Sequence, residues 1–196
     1  MKKELRPKKN KKAKKANRNR VAWTLPNRPR AEDNEVEFCE RAGLIWDEYR
    51  RRKERENTEG KGRIAPFATA EGFFKRQSYG LFYKFVDGAD DKKMIKRIVT
   101  KFAYTPESPT FAENPYHWAL IAMFTVEGVG GKEEITAAKK KIWRLGNEML
   151  YAKRSSVKAE FLIGFLYQSA CSKNISKLIE KGVADPSVML NPLLSR

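Results

Sequence analysis

The chain predicts an all-α fold: a single helical-bundle domain of about six helices behind a disordered, basic N-terminal arm. Three observations carry this expectation. Apolar residues recur three and four positions apart in segment after segment, while alternating strand patterns are nearly absent, Arg63–Ala68 being the one short candidate. Hydrophobic residues make up 41% and aromatic residues 11%, enough for a real core. The charge is segregated: residues 1–31 hold 13 Lys and Arg against one acid, Glu4, so this segment carries +12 of the net +17. The expected division is a disordered arm at 1–31, a helical domain at 32–185 and an extended tail at 186–196.

The arm cannot fold alone. Its large apolar residues are Leu5, Val21, Trp23 and Leu25, and Pro7, Pro26 and Pro29 interrupt any helix. A segment with so little surface to bury cannot offset its ordering entropy. Lys2, Lys3, Arg6, Lys8, Lys9, Lys11, Lys12, Lys14, Lys15, Arg18 and Arg20 form a polycation, whose natural partner is a polyanion that releases condensed counterions on binding. Nucleic acid, DNA or RNA, is therefore the expected partner. Two roles suit Trp23: anchoring the arm to the domain, or stacking on a base between Arg18, Arg20, Arg28 and Arg30.

The first helix is expected from Glu32 to about Asn57. Acids at 32, 33, 35 and 37 open it and bases from Arg50 to Arg55 close it, complementing the dipole at both ends. Phe38, Ala42, Ile45 and Tyr49 would form its buried stripe. A break at Thr58–Gly62 follows. The aromatic segment Thr69–Val86 (Phe73, Phe74, Tyr79, Leu81, Phe82, Tyr83, Phe85) ends at the turn signal Asp87-Gly88.

The helix expected at Ala89–Ala103 divides cleanly. Lys92, Lys93, Lys96, Arg97 and Lys101 fall on one half, and Met94, Ile95, Ile98, Val99 and Phe102 on the other. Such a helix packs on a core and offers a ridge to phosphates. It is not a sequence-reading recognition helix, because Asp90 and Asp91 occupy the N-terminal positions that would face base edges.

Tyr104–Glu113 reads as a loop. Asn114-Pro115 supplies a cap followed by proline at the first helical position, and the helix it opens is apolar nearly all round, hence central. After the Gly128–Gly131 break comes Lys132 to about Lys153, where Ile135, Ala138, Ile142, Leu145, Met149 and Ala152 alternate three and four apart. This seam suits an intramolecular bundle, and also self-association, as does the C-terminal tail. Lys139, Lys140, Lys141 and Arg144 make a third basic cluster; Lys140 and Arg144 join the candidate contacts. Trp143 among them is expected to pack on a neighbouring helix, with base stacking as the alternative. Ser155 or Ser156 would cap a further helix to about Lys173, and a short one spans Ile175–Lys181.

Enzymatic signatures fail on inspection. Gly128-Val-Gly-Gly-Lys132 resembles a phosphate loop, but Val126 and Glu133 stand where glycine and Ser/Thr are required. Asp87 with Asp91-Lys92-Lys93 mimics a nuclease motif with the wrong spacing. The single histidine, His117, sits at a helix start and reads as structural. Cys39 and Cys171 lack zinc spacing and are too few for a disulfide framework, which predicts a reducing, intracellular location: cytoplasm or nucleoid, or a nucleus. No apolar run is long enough to span a membrane, and the basic N-terminus lacks the apolar stretch of a secretory signal. No catalytic, cofactor or metal residue is predicted.

The expected function is non-enzymatic nucleic-acid binding, as an accessory factor in replication, transfer or regulation. The alternative is a nucleocapsid or coat protein whose arm enters a virion's nucleic acid while its domain self-assembles. A protein-partner module with an import tail is a third reading, distinguished by weak binding without a steep salt slope.

Overall fold

The computed structural model describes residues 34–58, 64–86, 89–101, 109–126, 132–169 and 172–182. The arm with all its candidate residues, the Asp87-Gly88 turn, the Gly128–Gly131 break, Cys171 and the 186–196 tail lie outside them. The described residues form seven α-helices and no strand: α1 (Asn34–Thr58), α2 (Ala70–Phe85), α3 (Ala89–Thr100), α4 (Pro115–Val126), α5 (Lys132–Arg154), α6 (Leu162–Gln168) and α7 (Ser172–Glu180). The fold is all-α, a helical bundle as the periodicity implies.

The core is built around α4. Every residue from Tyr116 to Thr125 is buried, so this helix meets neighbours on all sides. It opens as the sequence suggests, with the Asn114 side chain accepting the His117 backbone N–H at 3.1 Å. Helices α5 and α3 pack chiefly against α4, and α1 packs chiefly on α2. Trp46 of α1 joins these layers. Its ring lies 4.6 Å from Phe74 and 4.9 Å from Phe124, and its indole N–H donates to the Met123 carbonyl at 2.9 Å. A buried indole nitrogen needs such a partner, so Trp46 fixes α1 to α4 in one register.

Helix α1 is strongly charged, and ion pairs along it offset that. Arg41–Glu37 (2.9 Å) and Arg52–Glu48 (2.8 Å) are both i,i+4 pairs with the acid largely buried. Helix α2 starts where Thr69 accepts the Gly72 N–H at 3.0 Å. Gly72 is required there: a Cβ at this position would come within 2.1 Å of the Pro66 carbonyl oxygen. That close approach comes from a 3-10 turn at Pro66–Ala68, which occupies the place of the expected short strand. Pro66 at the first position of that turn lacks the N–H a ladder would need.

The second departure follows α5. The serines expected to start a helix instead end one. The Ser156 N–H donates to the Lys153 carbonyl (2.9 Å) and the Val157 N–H to the Ala152 carbonyl (2.9 Å), with Ser156 at φ 55°. This is the Schellman arrangement, closed by the buried Val157. A 3-10 turn (Ala159–Phe161) then leads into the short α6, and α7 begins separately at Ser172. What reads as one helix to about Lys173 is thus a C-cap, a turn and the short α6, while the separate short helix expected at Ile175–Lys181 is present as α7.

Candidate nucleic-acid interface

The 12-residue helix α3 presents the expected split. Met94, Ile95, Ile98 and Val99 are buried, while Lys92, Lys93, Lys96, Arg97 and Lys101 stand exposed. The structure divides these five bases into two sets. Arg97 Nε donates to Glu35 at 2.6 Å, and Lys101 also bonds Glu35 of α1. Glu35 is buried, yet its carboxyl is held below the usual carboxylate range: the Lys101 hydrogen bond and Arg97 outweigh the opposing cost of burial. Arg97 and Lys101 thus dock α3 onto α1, although 58% of each side chain remains open to solvent.

Lys92, Lys93 and Lys96 keep their charge for solvent. Lys92 lies over the Phe111 ring at 6.0 Å and Lys96 over Trp118 at 5.7 Å, so their stems cover buried aromatics while their ammonium groups stay at the surface. Lys93 sits 3.4 Å from Asp90, but both side chains are about four-fifths or more exposed, and such a pair contributes little.

The α5 cluster divides likewise. Arg144 donates to Glu71 at 2.8 Å and approaches the buried Glu148 at 3.9 Å, so this candidate contact bridges α5 to α2. Lys141 is half-buried above Tyr49 (5.3 Å) and Phe74 (5.8 Å), and burial pushes its pKa down. Lys139 and Lys140 remain exposed, as does Trp143, whose indole the sequence places against a neighbouring helix.

One exposed lysine from each set bears on the start of α4. Lys96 lies over Trp118 on the α3 side, and Lys139 bears electrostatically on His117, the preceding residue, from the α5 side. His117 is buried as expected of a structural histidine. Its pKa is lowered to about 4, mainly by burial and secondarily by Lys139, and its Nδ1 has no hydrogen-bond partner. Glu113 lies just before α4, its carboxylate accepting the Thr110 N–H (2.7 Å) and hydroxyl (2.9 Å).

Sequence reading missed the role of Glu35. Its position near a helix start marks it as a dipole complement, and nothing local points to partners 62 and 66 residues away. Among the described residues, no group of three or more His, Cys, Asp or Glu side chains could hold a metal ion, and no helix is long and apolar enough to cross a membrane. Compared with known proteins, the chain matches no family model, no curated protein and no solved structure.

Proposed function

We propose that this protein is a non-enzymatic nucleic-acid-binding factor. The arm captures the phosphate backbone, and Lys92, Lys93 and Lys96 on α3, with Lys139 and Lys140 on α5, orient the strand against the bundle. The observation that carries this reading is the segregation of charge, +12 in residues 1–31, together with the exposure of Lys92, Lys93 and Lys96 on α3 and of Lys139 and Lys140 on α5. Lysine is a hydrated point charge suited to phosphate and reads no base sequence. An accessory role in replication, transfer or regulation fits binding of this kind.

The test is the triple change Lys92→Glu, Lys93→Glu and Lys96→Glu in the full chain, with affinity measured by fluorescence anisotropy on several unrelated oligonucleotides. Affinity should fall about tenfold or more, equally across sequences. Arg97 and Lys101 are the wrong residues for this test, because altering them also breaks the α1–α3 contact. An unchanged affinity eliminates α3 as a contact surface.

One feature favours the coat-protein alternative. Tyr167, 75% exposed, and Phe67, 57% exposed, are large apolar side chains at the surface, Tyr167 at an open cleft whose wall is apolar at Ile163 and Leu166 and charged at Glu71, Lys75, Arg144 and Glu148. Apolar surface of this kind suits contact between subunits. Size-exclusion with light scattering on nuclease-treated protein separates the two: small discrete species fit the accessory factor, large regular assemblies the coat protein.

A further inference from the structure

Trp143 is 46% exposed, on a helix whose other large apolar residues are buried. The α4 side of α5 is marked by Gly146, where a Cβ would lie 3.1 Å from the His117 Cα. At 100° per residue, Trp143 lies about 60° round from that line, Lys139 about 20° and Lys140 about 120°. The ring therefore sits at the rim of the α4–α5 seam with a lysine on either side, one turn toward the N-terminus. Asn147, about 100° round, is tied to the fold through the Asn114 amide at 3.0 Å.

An indole half in water, bracketed by two cations, is poorly suited to a second copy of a chain with net charge +17. It suits a partner that offers a flat π-face and a negative charge a few ångströms away. A nucleotide does both, and only an unpaired base can turn its face outward, since bases within a duplex stack on each other. We propose that Trp143, flanked by Lys139 and Lys140, is a stacking site for an unpaired base of single-stranded nucleic acid. This rests on the nucleic-acid reading above and narrows its ligand to strands with accessible bases.

The test compares the full-length protein with its Trp143→Ala and Trp143→Phe variants at one fixed salt concentration. The probes are a short single-stranded oligonucleotide, a duplex of equal length and an abasic strand carrying the same phosphates. Trp143→Ala should weaken single-strand binding about tenfold and leave duplex and abasic binding unchanged, while Trp143→Phe retains most of the affinity. Replacing Lys139 and Lys140 with glutamine should weaken all three probes together. Equal loss on all probes with Trp143→Ala, or no loss on any, overturns the stacking site while the electrostatic reading stands. Dispersal of a self-associated species by Trp143→Ala also overturns it, in favour of a second copy. Failure of the unaltered protein to bind any probe overturns both readings, so the two failures are distinguishable. Circular dichroism checks that each variant keeps its helicity, and Trp143→Leu, apolar but without a π-face and expected to lose single-strand affinity selectively, keeps the test decisive if the alanine variant does not fold.

Discussion

Glu35 shows how one buried charge sets the character of a surface. It holds Arg97 of α3 and Lys101 just beyond its end, two of the five bases on that ridge, so its loss acts in two directions at once. Glu35→Gln should lower stability by about 1 kcal/mol, the modest size reflecting partners that are more than half exposed. The same change should strengthen nucleic-acid binding several-fold and steepen its salt dependence, because Arg97 and Lys101 regain full charge toward phosphate. Denaturant melts and anisotropy on one variant check both effects. His117 makes the second residue-scale prediction. Its folded pKa of about 4 lies below its ordinary 6.5, so the unfolded chain binds the extra proton first as pH falls. Stability from neutral His117 is therefore complete above pH 6.5 and lost progressively down to pH 4, a total of about 3 kcal/mol. His117→Gln should flatten the stability profile across that window. Further acidification then protonates Glu35 and Glu37, whose pKa values are also lowered. Burial opposes the shift at Glu37, but Lys84 and Arg41 outweigh it, so its contribution likewise disappears in acid.

Among the elements, α4 and α5 were the most legible and the segment after Ser155 the least. An all-round apolar helix opened by Asn114-Pro115 has only one solution, a central position, and α4 occupies it. The three-four seam of α5 buries Ile135, Ile142, Leu145, Met149 and Ala152 as its spacing requires, with Ala138 half-buried. The serines at 155 and 156 were ambiguous because short hydroxyl side chains compete for backbone groups at either end of a helix. The chain resolves this through a left-handed Ser156, a conformation that side chains other than glycine and asparagine rarely adopt. Ser156→Gly should accordingly stabilise the protein by about 1 kcal/mol, read as a rise in the denaturation midpoint. The expected strand gives way to the Pro66–Ala68 turn because Pro66 has no N–H for a ladder, and the turn's close local approach to Gly72 is something alternation alone does not encode.

For the molecule as a whole, the helical architecture was readable from periodicity, whereas the partition of its charge was not. Composition shows 41 bases and 24 acids, but which bases face solvent depends on contacts such as Arg97 to Glu35 and Arg144 to Glu71, 62 and 73 residues apart. The resulting pattern leaves Lys92, Lys93 and Lys96 exposed on α3 and Lys139 and Lys140 exposed on α5 beside an exposed Trp143. The most direct test of nucleic-acid binding is the affinity of the full chain for a short oligonucleotide as a function of salt, compared with a variant in which Lys2, Lys3, Lys8, Lys9, Lys11 and Lys12 are glutamine. If about six arm residues neutralise phosphates, affinity should fall about a thousandfold or more between ~50 and ~200 mM salt, and the variant should lose most of that slope. A weak affinity that salt leaves unchanged, or a slope identical in the two proteins, would contradict backbone capture by the arm.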